Sequence, residues 1–78
     1  MPTHNIEARV RVIIIDKLGI TNEDLKGDPK LTDIGADSLD MVEVILEIEE
    51  EFHIRIPDNQ AFELSRISEI VTYLQTNT

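Results

Sequence analysis

A chain of 78 residues has room for one small core and little room for a deep active-site cavity, because at this size only about 60–65% of the unfolded surface is buried on folding. Cysteine is absent, which excludes a disulfide staple, a thiolate metal site and a cysteine nucleophile. The formal net charge is −9, a field that repels nucleic-acid phosphates and anionic lipid and favours basic protein partners.

The first helix is expected after Pro2, with Thr3 or Asn5 as its cap. Ile6, Val10, Ile13 and Ile14 follow helical spacing, and Gly19 after Leu18 is a helix stop. Val10 to Ile15 is also rich in β-branched residues and reads alternatively as a strand. Residues 19–37 contain Gly27, Pro29 and Gly35 and form a long loop. Ile20, Leu25, Leu31 and Ile34 are spaced as pins from that loop into a core, with a helical turn near Asn22 to Leu25. Ser38 is placed to cap a second helix that runs to Phe52, and Ile56-Pro57-Asp58 breaks any continuation. A short helix is expected from Asp58 to Leu64. A last one opens at Ser65, with Ile67, Ile70, Val71 and Leu74 at helical intervals. The expected fold is all-α: a small four-helix bundle of three longer helices and one short one, in a single domain over 1–78.

The charge is local. Leu31 to Ile54 holds eight acids and no Lys or Arg, a net −8, while the remainder holds eight acids and seven bases. On a helix beginning near Ser38, Asp40, Glu43, Glu47, Glu50 and Glu51 share one sector, and Met41, Val44, Ile45, Ile48 and Phe52 share the opposite one. Leu39, Val42 and Leu46 lie between, with Glu49 among them. An apolar strip bordered by carboxylates is either the margin of a core or a docking surface.

An enzymatic site of its own is not expected. Ser38 stands at a loop-to-helix corner, but His53 lies 15 residues along the same helix, roughly 22 Å away at 1.5 Å per residue. His4 sits near the terminus, and Gly35-Ala36-Asp37-Ser38-Leu39 lacks the second glycine of a nucleophile elbow. Asp37 and Asp40 put negative charge where an oxyanion needs donors. No calcium-loop or zinc motif is present, so no dedicated metal site is expected. Met1 to Glu7 lack a basic n-region followed by an apolar stretch, and the longest apolar run, Val12 to Ile15, is far too short to cross a bilayer. A cytoplasmic monomer is expected.

Asp33-Ile34-Gly35-Ala36-Asp37-Ser38-Leu39-Asp40-Met41-Val42-Glu43 resembles the prosthetic-group motif of acyl carrier proteins. Glu49-Glu50-Glu51-Phe52 and Ile56-Pro57-Asp58 resemble that family's second-helix end and following loop, and Ile6 through Gly19 is similar to its first helix. The resemblance implies that Ser38 is the attachment point for 4′-phosphopantetheine, within a motif that includes Gly35, Asp37 and Leu39. A separate phosphopantetheinyl transferase would supply the group from coenzyme A, leaving a phosphodiester. Acyl chains would then travel as thioesters on the arm, whose thiol replaces the missing cysteine. Asp37, Asp40, Val42, Glu43, Leu46, Glu49 and Glu50 would meet enzymes of fatty-acid biosynthesis, or acyltransferases, that present basic docking patches. Alternatives are a specialised carrier for polyketide, lipid-A-type or other acyl transfer, and an acidic interaction module that is never modified. The sequence departs from the family's usual pattern at Ile34, at Asn59-Gln60-Ala61-Phe62, and at Val12 and Ile15.

Overall fold

A computed structural model describes residues 4–77, with side chains from Ile6 onward. Four helices follow one another: α1 His4–Leu18, α2 Ser38–Phe52, α3 Asp58–Ala61 and α4 Ile67–Asn77. No strand occurs among the described residues, and the β-branched run of α1 is helical. Its pattern explains the choice. Ile6, Val10, Ile13 and Ile14 fall on one face and are buried, which a strand's period of two could not achieve. Gly19 closes α1 at φ +66, and its N–H donates to the Ile15 carbonyl at 2.9 Å. Of the two expected caps, Thr3 lies outside the described residues, and Asn5 falls inside α1, which already begins at His4, so it is not the cap.

α1 packs against α2 and α4. The core joins the α1 face to Val44, Ile45 and Ile48 of α2 and to Ile67, Ile70, Val71 and Leu74 of α4. The long loop is pinned as expected, with Leu25 and Leu31 buried and Ile20 and Ile34 packed partly against the core. It contains two short 3₁₀ turns, Glu23–Leu25 and Leu31–Ile34, of which only the first was legible in the sequence.

Three boundaries differ from expectation. Asp37, not Ser38, caps α2: its Oδ1 accepts from the Asp40 N–H at 2.8 Å, while Asp40 Oδ2 accepts from the Asp37 N–H at 3.1 Å. A carboxylate is the stronger acceptor beside the positive helix end, and the Asp-x-x-Asp spacing closes both bonds at once. The short helix is one turn, Asp58–Ala61, followed by turns that carry Phe62 and Glu63. α4 opens at Ile67 because Ser65 and Arg66 are held by other contacts. The Leu31 N–H donates to the Ser65 carbonyl at 2.8 Å, and the N–H groups of Ser65 and Arg66 donate to Glu69 Oε1 at 3.0 and 2.9 Å.

The loop also supplies a cap from a distance. Asp28 adopts φ 55 after Gly27 at φ 81, which turns its carboxylate toward α4. There Asp28 Oδ1 accepts from the Ser68 N–H at 3.2 Å, and Oδ2 accepts from Ser68 Oγ. Arg66 Nη1 donates back to the Asp28 carbonyl at 2.9 Å. The first turn of α4 and the middle of the loop therefore hold each other.

Candidate functional site at the start of the acidic helix

The site begins with a turn. Gly35 ends the second 3₁₀ turn at φ +111, with open space where a Cβ would stand. Its requirement is for backbone conformation, not room. Ala36 is buried behind it and anchors the approach to α2. Asp37 then closes the capping box, and Ser38 becomes the first residue of the helix.

That one-residue shift matters for the serine. A capping serine would spend its oxygen on a backbone N–H. Here the Asp37 and Asp40 carboxylates take that task, and Ser38 is exposed with no side-chain hydrogen bond among the described residues. The first N–H groups of a helix have no intrahelical acceptor, and the helix end carries a partial positive charge, so this position suits a phosphodiester oxygen. Exposure, a free hydroxyl and a helix N-terminus fit a phosphate-linked prosthetic group on Ser38. Gly35, Asp37 and Leu39 surround it without covering it, and Leu39 is itself exposed.

A groove of about 490 Å³ opens beside the serine, between α2 and α3. Met41, Val42, Ile45 and Leu46 form its α2 wall, and Ile56, Ala61 and Leu64 face them. It extends from Ser38 to Glu49, about 16 Å at 1.5 Å per residue. A cavity of this size was not expected in so short a chain. It exists because α3 is a single turn and leaves one flank of α2 open.

The structure divides the acids of α2. Glu51 is paired with Arg9, and Lys17 Nζ lies 3.7 Å from Glu47, so both these carboxylates lean on α1. Glu49 Oε2 accepts from the Ile56 N–H at 2.6 Å and fixes the chain that follows α2. Asp37 and Asp40 are engaged in the cap. Glu43 and Glu50 are exposed and have no ion pair or side-chain hydrogen bond among the described residues. The apolar strip is also resolved: Leu39, Val42 and Leu46 are exposed, not the margin of the core. The expected contact residues thus lie on α2 and its cap, but only some of their charge is free.

Sequence reasoning missed the far wall of the groove and left Phe62 open between an exposed contact and a core residue; the ring is exposed at the groove's rim. The apolar residues after Pro57 were the available signal. It was ambiguous because an apolar residue after a helix break is as often core. His53 ends α2 at the opposite end from Ser38, so the pair is not brought together. No group of three or more His, Asp or Glu among the described residues is placed to hold a metal ion. No helix among them is long and apolar enough to cross a membrane.

The family model described as "Phosphopantetheine attachment site" matches residues 8–74. A curated "Acyl carrier protein" from Akkermansia muciniphila is 41% identical over 76 residues, covering 96% of this chain and 95% of the relative.

Proposed function

Because this chain belongs to the phosphopantetheine-attachment family of acyl carrier proteins, we propose that Ser38 is its attachment residue and that its cargo serves fatty-acid biosynthesis. It is a carrier and not an enzyme, and its cofactor is covalently attached 4′-phosphopantetheine. When attached, that group supplies a terminal thiol on which acyl chains are held as thioesters. Its partners are a phosphopantetheinyl transferase and acyl-handling enzymes.

The observation that carries the Ser38 reading is its free, exposed hydroxyl at the first turn of α2. Asp37 and Asp40 stabilise the helix without using the serine oxygen. Gly35 lets the chain turn sharply enough to present it. In the transfer reaction the Ser38 oxygen bonds to phosphorus, its proton leaves to the transferase, and the nucleotide part of coenzyme A departs. The α2 helix then holds the new phosphodiester at a rigid, accessible end, and tethering raises the cargo's effective concentration at each partner.

Asp37, Asp40, Val42, Glu43, Leu46, Glu49 and Glu50 make up the proposed partner surface. Glu43 and Glu50 supply the steering charge, Val42 and Leu46 the buried contact, and Glu49 the backbone support beneath. We take residues 1–78 as one monomeric carrier domain working in the cytoplasm.

The test is intact mass after incubation with coenzyme A and a phosphopantetheinyl transferase. The wild-type chain gains one phosphopantetheine, and Ser38→Ala gains none. A gain that survives Ser38→Ala overturns the assignment. A second reading, a specialised carrier for polyketide or other acyl transfer, draws on the uncharged Asn59-Gln60 and the exposed Phe62 of the α3 region. The acyl chain recovered on the arm from cells separates the two.

A further inference from the structure

Among the described residues five large apolar side chains stand out in solvent, and four of them are gathered on α2 and the turn after α3: Leu39, Val42, Leu46 and Phe62. Phe62 is the extreme case at 88% exposed, whereas Phe52 and Tyr73 pack partly against the core. Its backbone is held, since the Phe62 N–H donates to the Asp58 carbonyl at 3.1 Å. The ring is thus presented on a fixed turn and contributes almost no core burial. It stands at the rim of the groove with Leu46, where the apolar strip of α2 passes to α3.

We propose that Phe62 anchors the docking of an acyl-handling enzyme whose surface offers an apolar pocket rimmed by Lys or Arg. The inference rests on the carrier reading and extends its contact surface beyond α2. Charge complementarity chooses this occupant. Glu43 and Glu50 flank the strip with free negative charge, because α1 has already taken Glu47 and Glu51. A second copy of the chain would set one −8 segment against another, and anionic lipid would meet the same repulsion. Asn59 and Gln60 leave α3 little charge of its own, so this end of the footprint binds by burial.

The experiment uses the loaded carrier bearing a two-carbon acyl group, which is too short to fill the groove. A bacterial condensing enzyme that accepts carrier-bound acyl groups serves as the probe, with the carrier as varied substrate. Phe62→Ala raises KM about tenfold or more and leaves kcat within about twofold, because an interfacial aromatic is lost while the chemistry is untouched. Phe62→Leu recovers most of the affinity, and the melting temperature of both variants stays at the wild-type value. An unchanged KM for Phe62→Ala overturns the inference. So does a defect that appears only with long acyl chains, which makes the groove's cargo the occupant. So does a wild-type dimer in sedimentation velocity that Phe62→Ala dissolves. A wild-type chain that never takes phosphopantetheine overturns the carrier reading itself, before any KM is measured.

Discussion

Asp37 and Asp28 show how single carboxylates position this molecule. Each caps a helix, Asp37 from the adjacent position and Asp28 from a loop 40 residues away from Ser68 in sequence. Asp37→Ala is expected to cost about 1 kcal/mol of stability, read by urea denaturation. Asp28→Ala is expected to cost about 1–2 kcal/mol, since it loses a cap and places alanine at φ 55. The Asp28 pKa is lowered from 3.8, first by the Ser68 side-chain hydrogen bond, against some desolvation, and then by the Ser68 N–H and the Arg66 charge. At Glu69 desolvation pushes the carboxyl up, but the hydrogen bonds from Ser65 and Arg66 outweigh it and the pKa falls below 4.5. A lowered folded pKa means stability present above the unfolded value and lost as pH falls through the folded one. The stability gap between wild type and Asp28→Asn is therefore expected to hold at pH 7 and to close below pH 3.8. A gap that widens on acidification would contradict the geometry.

Helix α2 is a single element with three flanks doing different work. One side enters the core through Val44, Ile45 and Ile48. Another meets α1, where Glu47 and Glu51 find cations. The open side carries Ser38, the groove and the exposed strip. Exposed ion pairs of this kind contribute about 0–1 kcal/mol each, so their main effect is to decide which acids remain for partners. Replacing Glu43 and Glu50 together by Gln is expected to lower kcat/KM of a partner enzyme several-fold at low salt, with the difference shrinking as salt is added. Replacing Glu47 and Glu51 in the same way is expected to change it by less than about twofold. Equal losses from the two pairs would show that the contacts with α1 do not set availability.

The whole molecule has a Cα radius of gyration of 11.4 Å, close to the roughly 11.5 Å expected of a compact chain of this length. It holds a net −9 in that volume, of which the segment Leu31 to Ile54 carries −8 and α2 within it −6. Like charges spaced three and four residues apart on α2 oppose compaction. Raising NaCl from low to physiological concentration, or adding millimolar Mg²⁺, is expected to raise the melting temperature in a calorimetric scan. A flat melting temperature across the titration would show that the pairs with α1 already neutralise the field.

The hydrophobic period, the Gly and Pro breaks and the acid count were enough to determine four helices, the extent of α2 and the place of Ser38 at its start. These signals are local: each is a repeat or a breaker within a few residues. The proposed attachment motif could be read for the same reason, since Gly35 through Asp40 are contiguous. What the tertiary structure decided involved residues far apart or choices between near-equal neighbours. Asp37 won the cap from Ser38 because Asp40 could return the bond. Asp28 meets Ser68 across 40 residues, on a loop that Leu25 and Leu31 pin into the core. The length and net charge of the chain set the scale of the domain and the sign of its own surface field. Only packing showed that α1 consumes part of that charge, that α3 is too short to cover α2, and that Phe62 is left in solvent, because burial and ion pairing depend on which surfaces meet.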